Sequence, residues 1–168
     1  SGTLDLGPVI ATVEPDALVL SLQMGALTNT LDAPNGFDHV RFHVFLDIPE
    51  MDGADVAPSL HLTMPVGFAY DYAAAVDGWS STLYTAEGAD ADNLGTPTDA
   101  APEVTVDGNT VTLRFAIASI GGPQDLTGVK VYVATWDWDN EANSLRGLTP
   151  EASAATFGGG DGAVDPLV

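Results

Sequence analysis

A chain of 168 residues, 45% of them hydrophobic, is sized for one domain and too apolar to be a disordered segment. Four Lys+Arg stand against 24 Asp+Glu, and the net charge of −20 argues against nucleic acid and anionic membrane surfaces as partners, since binding to either is driven by basic residues. The absence of cysteine excludes a disulfide framework, thiolate catalysis and Cys-based zinc sites, and leaves an extracellular location open.

No run approaches the roughly 18 consecutive apolar residues of a membrane helix, so membrane insertion is not expected. Ser1-Gly2 reads as a trimmed boundary and no signal peptide is evident, so localisation is not legible from a targeting signal. The acidity has three readings: adaptation to salt, which screens the repulsion; calcium binding; or no special role.

In chain order, Val9 to Val13 is a short apolar run followed by the turn Glu14-Pro15-Asp16-Ala17, and Leu18, Leu20, Leu22 and Met24 then alternate, which predicts an antiparallel pair. Asn29 to Phe37, with Pro34, Asn35 and Gly36, reads as a loop. In Val40 to Ile48 the residues Val40, Phe42, Val44, Leu46 and Ile48 share one face and Arg41, His43, Phe45 and Asp47 the other, the pattern of a sheet buried on one side and half exposed on the other. Leu60 to Ala75 is aromatic and β-prone, with Trp79 to Tyr84 as its hairpin partner across Val76-Asp77-Gly78. Residues 87–102 read as a polar loop. Glu103 to Val106 and Val111 to Ala118 flank Asp107-Gly108-Asn109, a hairpin signal. Val129 to Trp136 is the last expected strand, followed by an acidic loop from Asp137 to Asn143 and a Gly-rich tail from Phe157 to Gly162. Ser119 to Leu126 and Pro150 to Thr156 are candidates for short helices. Many short strands with frequent Gly and Pro predict an all-β fold, an antiparallel β-sandwich of jelly-roll-like type spanning residues 1–168.

Catalytic patterns are weak. No Ser sits in a Gly-x-Ser-x-Gly elbow. His39 and His43 on one strand would lie about 13 Å apart, too far to share a zinc ion, and His61 stands alone. A pair of carboxylates for glycoside hydrolysis has no distinctive spacing among so many acids. The acidic loop is more informative: Asp137, Asp139, Asn140 and Glu141 supply the oxygen ligands that calcium takes, although the segment lacks the Gly and closing Glu of an EF-hand loop. Asp90, Asp92 and Asn93 form a second acidic cluster, and Gly160-Asp161-Gly162 with Asp165 a third, each equally readable as a solvated loop.

Trp79, Trp136 and Trp138 stand at expected strand ends beside Gly and Asp, where indole rings can stack on the C–H faces of sugars while Asp and Asn take hydroxyls. Tyr70, Tyr84 and Asn35 complete a candidate carbohydrate-binding set. The alternative is that the tryptophans are core residues of a structural or surface-interaction sandwich with no sugar site.

The tail Thr156-Phe157-Gly158-Gly159-Gly160-Asp161, ending in Asp165-Pro166-Leu167, resembles the end of the glucodextranase C-terminal domain family, itself similar to the family 9 carbohydrate-binding modules. Leu4-Asp5-Leu6, then Asn29 through Asn35-Gly36-Phe37 and Val40 to Asp47, resemble its earlier pattern. Asp77-Gly78-Trp79 is similar to its turn, and Val131 to Asp137 with Arg146 to its penultimate strand. The acidic Asp-Gly-Asp-Asp-Gly type segment with which the family usually begins has no counterpart before Leu4. The resemblance implies a non-catalytic β-sandwich, linked to the catalytic domain of a secreted α-glucan-degrading enzyme, binding polysaccharide or the cell surface, with calcium a structural ion in related modules.

Overall fold

Strand β1 (Leu6–Val13) pairs antiparallel with β2 (Ala17–Met24) across the expected tight turn. The period-two pattern of β2 buries Leu18, Leu20, Leu22 and Met24 on one face. Strand β3 (Val40–Asp47) follows the Asn29–Phe37 loop, then β4 (Tyr72–Val76) and β5 (Ser81–Thr85) form a hairpin, and β6 (Thr96–Pro97) adds a short edge. Next come β7 (Glu103–Asp107) and β8 (Thr110–Ala116), joined by a turn in which Gly108 takes the positive φ of 56° that two-residue hairpin loops favour. A 3-10 turn at Ile117–Ile120 leads to β9 (Lys130–Asp139) and β10 (Ser144–Leu145). The computed structural model describes residues 5–55, 64–146 and 150–151.

The strands form two antiparallel sheets, a four-stranded one in the order β1-β2-β8-β7 and a six-stranded one in the order β10-β9-β3-β4-β5-β6. Leu20, Leu22, Leu113 and Phe115 from the first sheet face Phe42, Val44, Leu46 and Ala74 from the second, making the core of an antiparallel β-sandwich. No α-helix occurs among the described residues, and the Ser119–Leu126 segment contributes only the end of the 3-10 turn.

Several boundaries differ from the sequence reading: β1 starts at Leu6 and not Val9, and β6 falls within the 87–102 segment expected as a loop. In the described part of the strand expected over Leu60 to Ala75, pairing as a strand begins at Tyr72, and Phe68 and Tyr70 lie in the segment before it, where Tyr70 makes an isolated bridge to Ala54. Leu60 to Thr63 of that expectation, His61 among them, lie outside the described residues, as do most of Pro150 to Thr156 and the whole Phe157–Gly162 tail. Strand β9 runs three residues past Trp136, so Asp137, Trp138 and Asp139 belong to a paired strand and not to a loop; Val40 faces Asp137 and Leu145 faces Trp138 across the ladder.

The outer face of the six-stranded sheet departs most from expectation. His43 and Phe45, alternating with the core residues of β3, are buried as deeply as the core. Phe45, Ala73, Ala134 and Trp136 form a second apolar cluster with Phe68 and Tyr70, with Met64, Leu94 and Leu145 packed against it. Phe45 meets Tyr70 edge-to-face, with ring centroids 5.1 Å apart. The loops that cross this face close it, so β3 is buried on both sides. His43 sits in this cluster with its Nδ1 unbonded, and burial, reinforced by the Arg41 charge, depresses its imidazole to about 3.

A buried neutral imidazole makes stability pH-dependent. Between pH 6.5 and about 3 the unfolded chain takes a proton at His43 that the folded chain refuses, so this residue's contribution is present above pH 6.5 and falls by about 1.4 kcal/mol per pH unit on acidification. Replacing His43 with Phe is expected to flatten the decline of the melting temperature across that window; an unchanged slope would show that the imidazole does not titrate in this way.

Candidate functional site

One end of the six-stranded sheet carries an unusually well-tied turn. Asp77, buried at the end of β4, accepts the backbone N–H groups of Trp79 (2.8 Å) and Ser80 (2.9 Å) through Oδ1, and the Ser80 hydroxyl (2.6 Å) through Oδ2. Arg41, opposite on β3, donates to the same Oδ2 at 3.3 Å. Asn35 reaches in from the preceding loop and donates through Nδ2 to the carbonyls of Asp77 (2.7 Å) and Ser80 (3.3 Å). Gly78 is required here: a Cβ would stand 2.1 Å from the Phe37 carbonyl oxygen. The turn therefore presents Trp79 from a backbone locked by both neighbouring segments.

Trp79 is 44% exposed, whereas Trp136 and Trp138 are 1% and 5% exposed. Trp136 packs beside His43 in the outer cluster with its Nε1 unbonded, and Trp138 lies under the Arg41 guanidinium, 4.3 Å from the ring centroid. The expected pairing of Trp136 with Trp138 on one side of β9 is present, but both rings are covered, and neither offers a face for a sugar to stack on. Tyr70 is likewise fully buried, its hydroxyl donating to the Leu94 carbonyl at 3.1 Å. Tyr84 is half-buried on the outer side of β5, and Asn35 serves the turn. The residues brought together are thus Trp79, Asn35 and, unforeseen, Asp77, Ser80 and Arg41. Arg41 had a signal in the sequence, as the one Lys or Arg of its strand, on the outward register.

At the start of β3 and the end of β9 lies an acidic group. Asp38 is fully buried; burial raises its pKa, but hydrogen bonds from Thr28, Thr30 and Leu31 outweigh that and lower it. Asp137 is buried with neither oxygen hydrogen-bonded, and burial pushes its carboxyl up against the opposing influence of Arg146, 3.7 Å away, and of His39. Asn140 Oδ1 is buried and unbonded too. Asp139 differs: it accepts the N–H groups of Glu141 and Ala142 and pairs with Arg146 at 3.0 Å. Glu141 is exposed. Of the four residues expected to hold calcium, only Asp137 and Asn140 offer buried acceptor oxygens lacking a donor, which is what a cation would satisfy. No group of three or more His, Asp or Glu among the described residues is close enough to hold a metal, so the remaining ligands would be backbone carbonyls and water.

The described polar residues of this end of the sandwich are thus organised around one presented aromatic, Trp79. The chain matches, over residues 1–168, the family described as the C-terminal binding module, SLH-like, of glucodextranase. It belongs to that family, and so to a class of accessory rather than catalytic domains. No curated protein matches the chain. No helix among the described residues is long and apolar enough to cross a membrane.

Removing the Asp77 carboxylate leaves two backbone donors without an acceptor and a largely buried guanidinium without its counter-ion. Asp77→Ala is expected to destabilise the fold by about 2–4 kcal/mol in denaturant titrations and Asp77→Asn by less; equal stability of all three would show that the turn does not depend on this side chain.

Proposed function

We propose that this chain is the non-catalytic polysaccharide-binding module of a secreted glycoside hydrolase, and that it takes α-glucan or a related polysaccharide at the end of the six-stranded sheet that carries Trp79. The observation that carries this reading is a half-exposed indole held on a turn that its own hydrogen bonds make rigid. A preorganised ring loses little freedom when a sugar face stacks on it. Ser80 and the Arg41–Asp77 pair supply polar groups beside it. Family membership supports binding as the role, and with it a covalently linked catalytic domain and an extracellular or cell-surface location.

The expected result is that Trp79→Ala weakens retention on an α-glucan affinity gel by about tenfold or more while leaving the melting temperature unchanged, because about 1.5–3 kcal/mol is at stake when a bound sugar covers the ring. Undiminished retention in that variant would place the sugar elsewhere. The burial of Trp136 and Trp138 favours a second reading, a structural or interaction domain without a sugar site; absence of retention of the unaltered chain on any glucan would decide for it.

The cation reading joins either role. Calcium at Asp137 and Asn140 would neutralise buried acceptors, and calcium is expected to raise the melting temperature by several degrees through preferential binding to the folded state. EDTA should reverse the rise and Asp137→Asn should abolish it; a melting point indifferent to calcium in the unaltered protein would remove the ion from the account.

A further inference from the structure

The end of the six-stranded sheet opposite Trp79 carries two concavities, of about 440 Å³ and 320 Å³, on either side of Met51. Both are of the size that holds small ligands. The smaller is walled by the 51–54 segment, Asp71, Tyr72 and the end of β5 through Glu87. Its wall is fixed by a close backbone approach: Ala54 and Tyr70 exchange hydrogen bonds of 2.8 and 2.9 Å, and a Cβ on Gly53 would stand 2.4 Å from the Ala69 carbonyl oxygen. Met51, 43% exposed, is set between the concavities by a turn in which Glu50 takes a φ of 71°, a conformation costly for a residue with a side chain.

Two polar groups of this place are incompletely partnered among the described residues. Asp71, which lines the concavity, is only 4% exposed; its Oδ2 accepts the Ile48 N–H at 2.6 Å, while its Oδ1 makes no hydrogen bond within the described residues. Burial raises its pKa. The Tyr72 hydroxyl also makes no hydrogen bond there and lies where a Cβ on Gly121 would be 3.0 Å from it, at the boundary with the larger concavity. Asp52 and Glu87 add exposed carboxylates on the rim. These acceptors are dispersed and do not converge as a metal cluster among the described residues. A neutral ligand with several hydroxyl donors and apolar C–H faces fits them: hydroxyls to Asp71, Glu87 and Tyr72, and a C–H face against the Met51 thioether.

We propose that the concavity between Met51, Asp71, Tyr72 and Glu87 is a second saccharide subsite, at the opposite end of the sheet from Trp79 and independent of it. The inference rests on the polysaccharide-binding reading above and extends it, since two subsites on one domain raise avidity for a long polymer without new contacts at either.

The test is a two-dimensional amide NMR titration of the full chain with isomaltotriose and with maltotriose. The expected result is a set of shifts at Met51, Gly53, Tyr72, Thr85 and Glu87 that persists in Trp79→Ala. Asp71→Asn turns Oδ1 from an acceptor into a donor while its amide oxygen can keep the Ile48 N–H; it and Tyr72→Phe are each expected to weaken this set by about tenfold and to leave shifts near Trp79 unchanged. If Asp71→Asn does not fold, Tyr72→Phe, which keeps the ring in the core, decides. Shifts confined to the Trp79 turn would overturn the second subsite and leave the proposed function standing. Shifts at neither end would overturn both. A response of these residues to calcium alone, with neither trisaccharide, would overturn the saccharide assignment in favour of a cation.

Discussion

The structure depends on burying β3 from both sides. Its even-numbered residues, Val40 to Leu46, enter the sandwich core, and on the opposite face His43 and Phe45 enter a second cluster beneath the loops. β3 pairs with β4 on one side and β9 on the other, so every residue from Phe42 to Leu46 is fixed by ladders on both edges as well as by packing above and below. A strand so confined is a rigid datum. Arg41 and Asp38 at its start hold the Asp77 turn and the Thr28–Leu31 loop, while Asp47 and Ile48 at its end meet Lys130 and Asp71. Both candidate saccharide positions hang on the two ends of this one strand.

That double burial explains what the sequence could and could not convey. The inner faces of β2, β3 and β8 were legible because one-sided burial writes a period of two into residue type, and the strands fall where the alternation puts them. The outer face is filled by residues that read equally as half-exposed: a histidine, three alanines and aromatics with polar tips. Their burial comes from segments far away in the chain, Phe68, Leu94 and Leu145 among them, which local alternation cannot register. The tryptophans illustrate the same limit. An Asp stands within two residues of all three, yet Trp136 is in register with Arg41, Trp138 lies under the Arg41 guanidinium and both are covered, whereas Trp79 is carried out on a turn. Placement in the ladder, not composition of the neighbours, separates a core indole from a presented one.

The acidic residues divide in the same way. Asp77 is surrounded by donors and organises a turn; Asp38 does so for a loop; Asp90 and Asp125 cap exposed turns of their own. Asp137 and Asp71 are buried with too few donors, and burial raises both. All are Asp in β-rich surroundings, and the sequence offers no means of sorting them, because the donors that decide each case are backbone N–H groups whose direction is set by the turn. The distinction is chemically useful, since a satisfied carboxylate is scaffolding and an unsatisfied one is an open valence for a ligand.

The charge balance constrains which ligand that is. The four basic residues are each committed: Arg41 to Asp77, Arg114 to Glu14 and Asp16, Lys130 to Asp47, and Arg146 to Asp137 and Asp139. The cations present are therefore spent on internal pairs, and the surplus that gives −20 is carried largely by carboxylates facing solvent. Such a surface repels anionic polymers over a Debye length, about 8 Å at physiological ionic strength, and is indifferent to a neutral polysaccharide, whose hydroxyls meet carboxylate acceptors without a Coulomb cost. Repulsion within the domain is screened by salt, and the ties that fix Trp79 are short-range hydrogen bonds to a buried Asp77, which salt screens little. Net charge and binding surface are thus separable: the first sets the ionic conditions the domain tolerates, and the second needs only the few polar groups that β3 holds at its two ends.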